Sequence, residues 1–402
     1  MTDRLAKANL LGQAAQYDLC NDCGKSGERV RDDIGRWIYP AAMPDGRHIN
    51  LFKVLLTNVC EHDCGYCGNR SGRDVRRVSF EPGELAAVFD DLVRRNVASG
   101  LFLSSAVCGS SAQAMERMIA AVEIVRFKYD FRGYVHLKIL PGSEEAEVER
   151  ATQLAQRVSV NLEAPNPARL AALSGSKRFE QDLVQRMRWA HKYIAQPGAV
   201  STGQTTQYVV GGAGEADREI LLTTSRLYRE VRLTRAYFSA FQPVPGTPLE
   251  NVAPTPAMRE HRLYQSDFLL RQYGFTFDEL VFDRAGNLPL IADPKQVWAQ
   301  MHPERFPVEL NRADREDLLR VPGVGPRSAG RILAARRERT LRDLESLAKL
   351  GVVVGRAAPY VLLAGRRPPF QLSLWGEADP SLLLSPSFGG GMNAARLRDC
   401  SP

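Results

Sequence analysis

The stretch Leu55-Leu-Thr-Asn-Val-Cys60-Glu-His-Asp-Cys64-Gly-Tyr66-Cys67-Gly-Asn-Arg70 carries three cysteines within eight residues, directly after an apolar run. Thiolates are soft ligands that favour iron–sulfur clusters, zinc or copper(I). A structural zinc site or an ordinary [4Fe–4S] cluster has four protein ligands. With three ligands, one iron of a cluster stays open and a small molecule can bind it. The spacing therefore predicts a metal centre on Cys60, Cys64 and Cys67.

The surrounding sequence alternates short apolar runs with longer amphipathic ones. Strands are predicted at residues 52–57, 100–104, 134–139, 157–162, 205–210 and 236–241. Helices are predicted between them, for example at residues 82–96, 112–128, 144–156 and 216–231. This order predicts an α/β fold, with a parallel sheet curled into a partial (β/α)6 barrel. The cysteines then lie at the carboxyl end of the first strand, where such sheets place their chemistry.

The composition is that of a globular protein, with 44% hydrophobic and 25% charged residues among 402. No apolar run approaches the roughly 18–20 residues that span a bilayer, and the N-terminus lacks the pattern of a signal peptide. We therefore expect a cytoplasmic protein with no membrane partner. Its seven cysteines favour metal or redox chemistry over a disulfide framework.

We expect four segments. An N-terminal extension covers residues 1–50, the barrel and its following helices 51–303, a small all-α domain 304–367, and a flexible tail 368–402. Fourteen cations and eight anions lie in residues 304–367, so six of the seven net positive charges fall there. Such an excess favours a polyanion as the partner. A merely solvated basic face is the alternative.

The basic segment contains Val321-Pro-Gly323-Val324-Gly325-Pro-Arg327, which resembles the helix-hairpin-helix motif of DNA repair proteins. Its glycines let backbone N–H groups approach a phosphate, and the helix N-terminus adds partial positive charge. Arg327 and Arg331 fall on one helix face. The predicted DNA-binding residues are thus Gly323, Val324, Gly325, Arg327 and Arg331. A protein-docking hairpin is the alternative, RNA is not excluded, and a weaker second copy is predicted at residues 347–363.

The CxxxCxxC spacing, with Tyr66 before the last cysteine, resembles the signature of the radical S-adenosylmethionine (SAM) superfamily. The resemblance covers residues 51–249. It implies a [4Fe–4S] cluster on Cys60, Cys64 and Cys67, SAM on the open iron, and a reductant such as flavodoxin or ferredoxin. It further implies that the reduced cluster cleaves SAM to methionine and a 5′-deoxyadenosyl radical, which abstracts hydrogen from the substrate. A zinc knuckle or a chance cysteine cluster is the alternative.

By the same resemblance, SAM is expected to contact Tyr66, Ser104, Ser105, Asn161, Glu163, Gly212, Gly214 and Gly246. Ser104 and Ser105 stand where the family usually has Gly-Gly-Glu. Asn161 and Glu163 resemble the Asn-x-Asp of biotin synthase and share one strand face, although they could instead be capping groups. The glycines around 212 could simply form a turn. His136 and Lys138 alternate on the third strand, as substrate contacts or as polar lining.

Two further motifs lie in the N-terminal extension and in the tail. Cys20 and Cys23 form a CxxC that would need Cys108 or Cys400 to complete a metal site, so free thiols are the preferred interpretation. Gln371-Leu372-Ser-Leu374-Trp375 resembles the motif by which bacterial polymerases and repair proteins bind the sliding clamp. The alternative is that these side chains fold back onto the protein itself.

The whole chain is similar to an uncharacterised family described as DNA modification or repair radical SAM proteins, which is genomically associated with a uracil-DNA-glycosylase-like protein. Residues 100–107, 134–138 and 293–312 carry this resemblance. It implies an enzyme whose radical acts on a base or sugar of DNA, flipped out or single-stranded. The alternatives are a radical enzyme that modifies RNA or a small molecule, and a non-catalytic DNA-binding iron–sulfur protein.

Overall fold

The computed structural model describes residues 2–15, 38–42 and 48–370. The chain divides into two compact units, Met1–Glu215 with Leu222–Glu260, and Ala216–Leu221 with His261–Pro402. Cys20, Cys23, Cys400 and the motif of Gln371, Leu372, Leu374 and Trp375 lie outside the described residues, so their expected roles stay predictions. Across the described ranges, no helix is both long and apolar enough to cross a membrane.

The first unit contains a curled half-barrel sheet of seven strands in the order β1 to β7. The six strands predicted from the sequence are present as β2–β7, and all of them are parallel. The predicted α/β class is therefore confirmed for this unit. The strands are β1 (Ile38–Ala42), β2 (His48–Leu55), β3 (Gly100–Ser104), β4 (Tyr134–Lys138), β5 (Arg157–Ser159), β6 (Gln204–Val210) and β7 (Arg235–Ala240).

Strand β1 was not predicted from the sequence. It pairs antiparallel with β2, with Pro40 opposite Asn50. A proline cannot donate to a ladder, so the sequence argues against a strand here. On an edge strand, the side of the backbone that faces away from the neighbouring strand needs no N–H donor, so a proline is tolerated there. Strand β5 is shorter than predicted, although the Val160 N–H still donates to Thr205 O over 3.1 Å.

Helices follow the strands and cover the outer face of the sheet. The helix after β2 (Pro82–Arg94) begins at a reciprocal capping pair of Glu81 and Glu84, with a proline in its first turn. Its Phe89 stacks on Phe52 of β2 with ring centroids 6.3 Å apart. The helices up to this point of the chain are α1 (Thr2–Ala14), α2 (Pro82–Arg94), α3 (Ser111–Glu123) with a π-helical turn (Ile124–Lys128), α4 (Glu145–Leu154), α5 (Pro167–Leu173), α6 (Gln185–Ile194), α7 (Asp217–Glu230) and α8 (Ala257–Gln272). Residues 217–221 of α7 and 261–272 of α8 belong to the second unit.

Alternate strand residues point to opposite faces, and this alternation positions the site. Phe52, Val135 and Val158 are fully buried at outward positions. Residues of the other parity face the barrel interior, and polar side chains stand there near the carboxyl ends of the strands. They include Ser104, Lys138, Asn161, Gln207 and Ser239.

The second unit is mainly helical. Its core contains Leu318, Val321, Val324, Ile332 and Leu347, each at most 4% exposed. The predicted boundary between residues 303 and 304 falls inside this unit and stays a prediction. Its further elements are α9 (Pro294–Met301), β8 (Val308–Glu309), α10 (Arg315–Arg320), α11 (Pro326–Glu338), α12 (Leu344–Lys349), α13 (Val354–Ala357) and β9 (Val361–Leu362).

The turn between α10 and α11 requires a glycine at position 323. Gly323 has φ +82°, and a Cβ there would lie 2.5 Å from Val353 O. The Gly323 carbonyl also accepts the Val353 N–H over 2.9 Å. The sequence predicted this glycine for the approach of a phosphate. The structure shows that the fold itself needs it.

We expect Gly323→Ala to destabilise the second unit by about 2 kcal/mol or more, because an alanine at positive φ costs ~1–2 kcal/mol before any collision. Thermal unfolding of the full chain measures this. Gly330→Ala in α11 is the control, since a Cβ there meets nothing within 4 Å and alanine favours a helix. An unchanged unfolding temperature for Gly323→Ala would contradict the described turn.

Candidate active site

A cavity of about 580 Å³ opens at the carboxyl ends of the parallel strands. This volume lies within the roughly 300–1,000 Å³ that is usual for small-molecule sites. The strand ends Leu55, Ser104, Lys138, Asn161 and Ser239 contribute to its wall. Loops after β2, α5 and β7 complete it. The sequence predicted the chemistry at this edge of the sheet, and inward polar side chains line the cavity there.

The three cysteines of the motif all line this cavity. Cys64 is buried, and Cys60 and Cys67 are half-buried. Burial, together with the neighbouring Cys64, raises the pKa of the Cys67 thiol to about 12. A bare Cys67 thiolate is therefore disfavoured here, whereas a bound metal ion deprotonates a coordinating thiol outright. The donor set suits a cofactor that supplies positive charge.

The cysteines do not converge on a single point. Within the described ranges, no three Cys, His, Asp or Glu side chains are arranged to hold one metal ion. A cubane cluster needs no such convergence, because each thiolate binds a different iron. Three thiols spread along one end of a cavity fit that requirement.

Two neighbouring loops hold the cysteine loop in place. The Gly65 N–H donates to Leu173 O over 2.7 Å, and the Leu249 N–H donates to Gly65 O over 3.2 Å. Arg73 Nε donates to Pro245 O over 3.1 Å. The chain after α5 and the chain after β7 therefore fix the backbone beside Cys64.

Asp63 anchors the loop after α5. Its carboxylate accepts the Ser174 hydroxyl (2.6 Å), the Ser176 hydroxyl (2.8 Å) and the Gly175 N–H (3.0 Å). Burial alone would raise the pKa of Asp63, but these hydrogen bonds hold it at about 2. The carboxylate therefore stays ionised and keeps residues 174–176 against the cysteine loop.

Lys177 follows this anchored segment and was missed by the sequence analysis. Its ammonium group donates a hydrogen bond to the Cys64 sulfur and lies close to Glu163. Burial lowers the pKa of Lys177, but the Cys64 thiolate and the Glu163 carboxylate raise it above its ordinary range. A single lysine in Ser-Gly-Ser-Lys-Arg carries no periodic signal. Only the contact between Asp63 and residues 174–176 brings Lys177 to the cavity.

Tyr66, Asn161 and Glu163 meet in the cavity wall, and the contact with SAM that the resemblance implies for them stays a prediction. Glu163 accepts hydrogen bonds from the Tyr66 hydroxyl and from Asn161 Nδ2 (3.3 Å). Burial, followed by the Glu163 charge, raises the pKa of Tyr66 well above its usual value. Glu163 has φ +64°, held by paired hydrogen bonds with Gln207 and Val209. The capping alternative is wrong, because Asn166 caps α5.

Strand β4 places only one of its two substrate candidates in the cavity. Lys138 lines it, as do the SAM candidates Ser104 and Ser105. His136 is one inward position deeper, where its Nε2 pairs with the Ser159 hydroxyl (2.9 Å) and its ring lies 4.3 Å from that of Phe102. His136 therefore does not line this cavity, because side chains at the same parity occupy different depths of the barrel, and its contact with substrate stays a prediction.

The three expected SAM glycines lie outside the cavity wall. Gly212 and Gly214 belong to a turn wrapped on Glu215, whose carboxylate accepts the N–H groups of Gly211 and Ala213. The turn interpretation of these glycines is thus the one that the structure supports. The Gly246 N–H donates to Glu250 over 2.7 Å, and its neighbour Pro245 lines the cavity instead.

Glu260, near the start of α8, also lines the cavity and was not singled out from the sequence. One carboxyl oxygen accepts the Ala240 N–H over 2.7 Å. Burial raises its pKa. Glu260 lies beyond the last barrel strand, so strand-end reasoning could not find it.

Part of the chain is similar to known proteins. The model of the radical SAM superfamily matches residues 54–226. The 7,8-didemethyl-8-hydroxy-5-deazariboflavin synthase of Methanosarcina mazei is 27% identical over 228 residues, which cover 52% of this chain and 64% of that protein.

Several solved structures are similar over 55% of this chain. HydG, a maturase of the [FeFe]-hydrogenase, has a TM-score of 0.45, 10% identity and 49% of its chain covered. HydG from Carboxydothermus hydrogenoformans has a TM-score of 0.44 and 13% identity, with 51% of its chain covered. Methylornithine synthase (PylB) has a TM-score of 0.45 and 14% identity, with 61% of its chain covered. The chain spans less than two thirds of the length of each of these relatives.

Replacing Cys60, Cys64 or Cys67 by alanine should abolish iron binding, because a three-ligand centre has no spare thiolate. Anaerobic reconstitution of the wild type should give about four irons per chain, measured by iron and sulfide analysis and visible absorption. Cys108→Ala is the control, since Cys108 is a free, half-buried cysteine that should leave the iron content unchanged. Full iron content in the triple variant would overturn the assignment.

Proposed function

We propose that residues 54–226, which match the model of the radical SAM superfamily, form a domain that generates a radical to repair or modify DNA. The enzymes of this superfamily use a [4Fe–4S] cluster and SAM, and these are the cofactors of this chain. The observation that carries the proposal is the common cavity of Cys60, Cys64, Cys67, Tyr66 and Glu163. It puts the thiols and the cofactor-facing polar groups in one enclosed space.

Cys60, Cys64 and Cys67 would hold the cluster, with SAM beside it in the same cavity. The reduced cluster would supply the one-electron cleavage of SAM to methionine and a 5′-deoxyadenosyl radical, which would take a hydrogen atom from the substrate. A flavodoxin or a ferredoxin would supply the electron.

The chain's own residues would bind SAM through complementary charge. Lys177, already beside Cys64, offers a cation to the SAM carboxylate. Asn161 and Glu163 present an amide and a carboxylate, which suit the two ribose hydroxyls. Ser104 and Ser105 line the same cavity, and their hydroxyl oxygens would accept hydrogen bonds from the ammonium group of SAM. Lys138 faces the remaining space and is the candidate for substrate contact.

The DNA part of the proposal rests on the second unit. Pro326 begins α11 directly after the Gly323 turn, and Arg327 and Arg331 are exposed on that helix. A second turn at Gly351 has the same φ of +82° and is followed by α13. Paired turns at helix starts, with six net positive charges in residues 304–367, favour phosphate binding. A uracil-DNA-glycosylase-like protein and the sliding clamp remain proposed partners.

A small-molecule substrate is the second candidate, for two reasons. The cavity is the size of a small-molecule site, and the curated relative is by its name a synthase of a deazariboflavin. A nucleotide would have to leave its stack to enter the same space, which costs a few kcal/mol in a duplex and least in single strands.

We expect single-stranded DNA to stimulate the release of 5′-deoxyadenosine from SAM by the reduced, reconstituted protein. Chromatography of the products, with matched DNA and RNA oligonucleotides, measures this. DNA carrying damaged bases should stimulate most, because a damaged base is flipped at least cost. Stimulation by RNA alone would assign RNA as the substrate. Turnover that no polynucleotide changes would favour the small-molecule candidate.

The double variant Arg327→Glu/Arg331→Glu should weaken DNA binding steeply while leaving basal SAM cleavage intact. Losing two phosphate contacts should reduce the slope of log K against log salt by about 2. Fluorescence anisotropy at several salt concentrations measures both quantities. Arg284→Glu, at an exposed arginine of the same unit, is the control. Equal loss in both variants would indicate a nonspecific charge effect and remove the hairpin's role.

A further inference from the structure

We propose that Arg77 is a positioning residue of the cluster site, which closes the cysteine loop and keeps an uncompensated positive charge beside it. The cysteine loop is defined here as residues 58–73. The inference rests on the proposed cluster at Cys60, Cys64 and Cys67 and concerns how this chain prepares that site.

The guanidinium group of Arg77 joins the two ends of the cysteine loop. Nη1 donates to Asn58 O (2.5 Å) and Asn69 O (2.8 Å), and Nη2 donates to Arg70 O (2.7 Å) and Arg73 O (3.0 Å). Asn58 precedes the first cysteine, and the other three acceptors follow the last. One planar group therefore fixes the distance between the start and the end of the loop.

Four carbonyl oxygens converge on this group, and without it they would repel one another. A carbonyl oxygen that loses its donor away from water destabilises the fold. Asn58 adds to the closure, since its Nδ2 donates to Arg76 O (2.9 Å) and its Oδ1 accepts the Val78 N–H (2.8 Å). A lysine could not replace Arg77, because an ammonium has three donors and no planar fork.

The contacts of Arg77 leave its charge unneutralised. All its partners in the described part of the chain are backbone carbonyls. Arg70 likewise donates to Asp63 O (3.2 Å) and Arg73 to Gly68 O (2.8 Å). Within the cysteine loop, these two arginines are matched by Glu61 and Asp63, so Arg77 supplies the excess positive charge beside a cluster that would be anionic. Because reduction adds one more negative charge, this arrangement favours the reduced state.

Arg77 is linked to the Cys67 thiol through a single residue, Asn69. It binds Asn69 O, and the Asn69 N–H donates to Cys67 Sγ over 3.4 Å. A change at Arg77 therefore alters both the shape of the loop and the hydrogen bond to a cluster ligand. In the sequence, Arg76-Arg77 looks like an exposed charge pair, and only the fold separates the two. Arg76 is exposed, whereas Arg77 is half-buried.

The test compares Arg77→Gln, Arg77→Lys and the control Arg76→Gln in the full chain. In Arg77→Gln we expect iron affinity to fall about 10- to 100-fold, as for other residues that support metal ligands. Its residual cluster should have a more negative midpoint potential in an EPR-monitored redox titration. Arg77→Lys should recover the potential while iron binding stays weakened. Arg76→Gln should match the wild type in both measurements.

Amide hydrogen exchange of the metal-free proteins gives an independent readout. Residues 58–73 should exchange faster in both Arg77 variants than in the wild type or Arg76→Gln, with the rest of the first unit unchanged. Wild-type exchange, iron affinity and potential in Arg77→Gln would overturn the inference, as would equal changes in Arg76→Gln. A wild type that binds no iron would defeat the proposed function, while the exchange comparison would still decide whether Arg77 closes the loop.

Discussion

Three thiols must be held at one end of the cavity before any metal arrives, and the rest of the site depends on this constraint. The cysteine loop has no regular secondary structure to fix it. Instead, backbone hydrogen bonds join Gly65 to Leu173 and Leu249, Asp63 binds residues 174–176, and Arg77 closes the base. These ties replace the ladder that a strand would supply, and they place polar and charged groups where they meet a partner.

Side chains that alternate along the strands of the half barrel separate the outer core from the inner cavity. Outward residues such as Phe52 and Val135 are buried under helices and stabilise the sheet. Inward residues need not be apolar, so Ser104, Lys138 and Asn161 can face the cavity. Glu163 stands at the edge of this arrangement with a left-handed backbone. Strain of this kind clusters at functional sites, and here it aims the carboxylate at Tyr66 and Lys177.

The sequence could predict what depends on local pattern. The six parallel strands follow from apolar runs, and the cysteine motif directly after the first of them follows from its spacing. It could not predict what depends on contacts between distant loops, which is why Lys177, Glu260 and Arg77 were missed. Strand β1 escaped notice because Pro40 argues against a strand except at an edge. Parity gives the face of a strand but not the depth in a barrel, so the sequence could not distinguish the position of His136 from that of Lys138.

The central claim is that the cysteine loop leaves one iron open to SAM inside this cavity. EPR spectroscopy of the reduced full-length protein, before and after addition of SAM, tests it most directly. The account predicts that SAM shifts the g values of the cluster signal, because its amino and carboxylate groups enter the coordination of the fourth iron. A cluster signal that saturating SAM leaves unchanged would contradict the account.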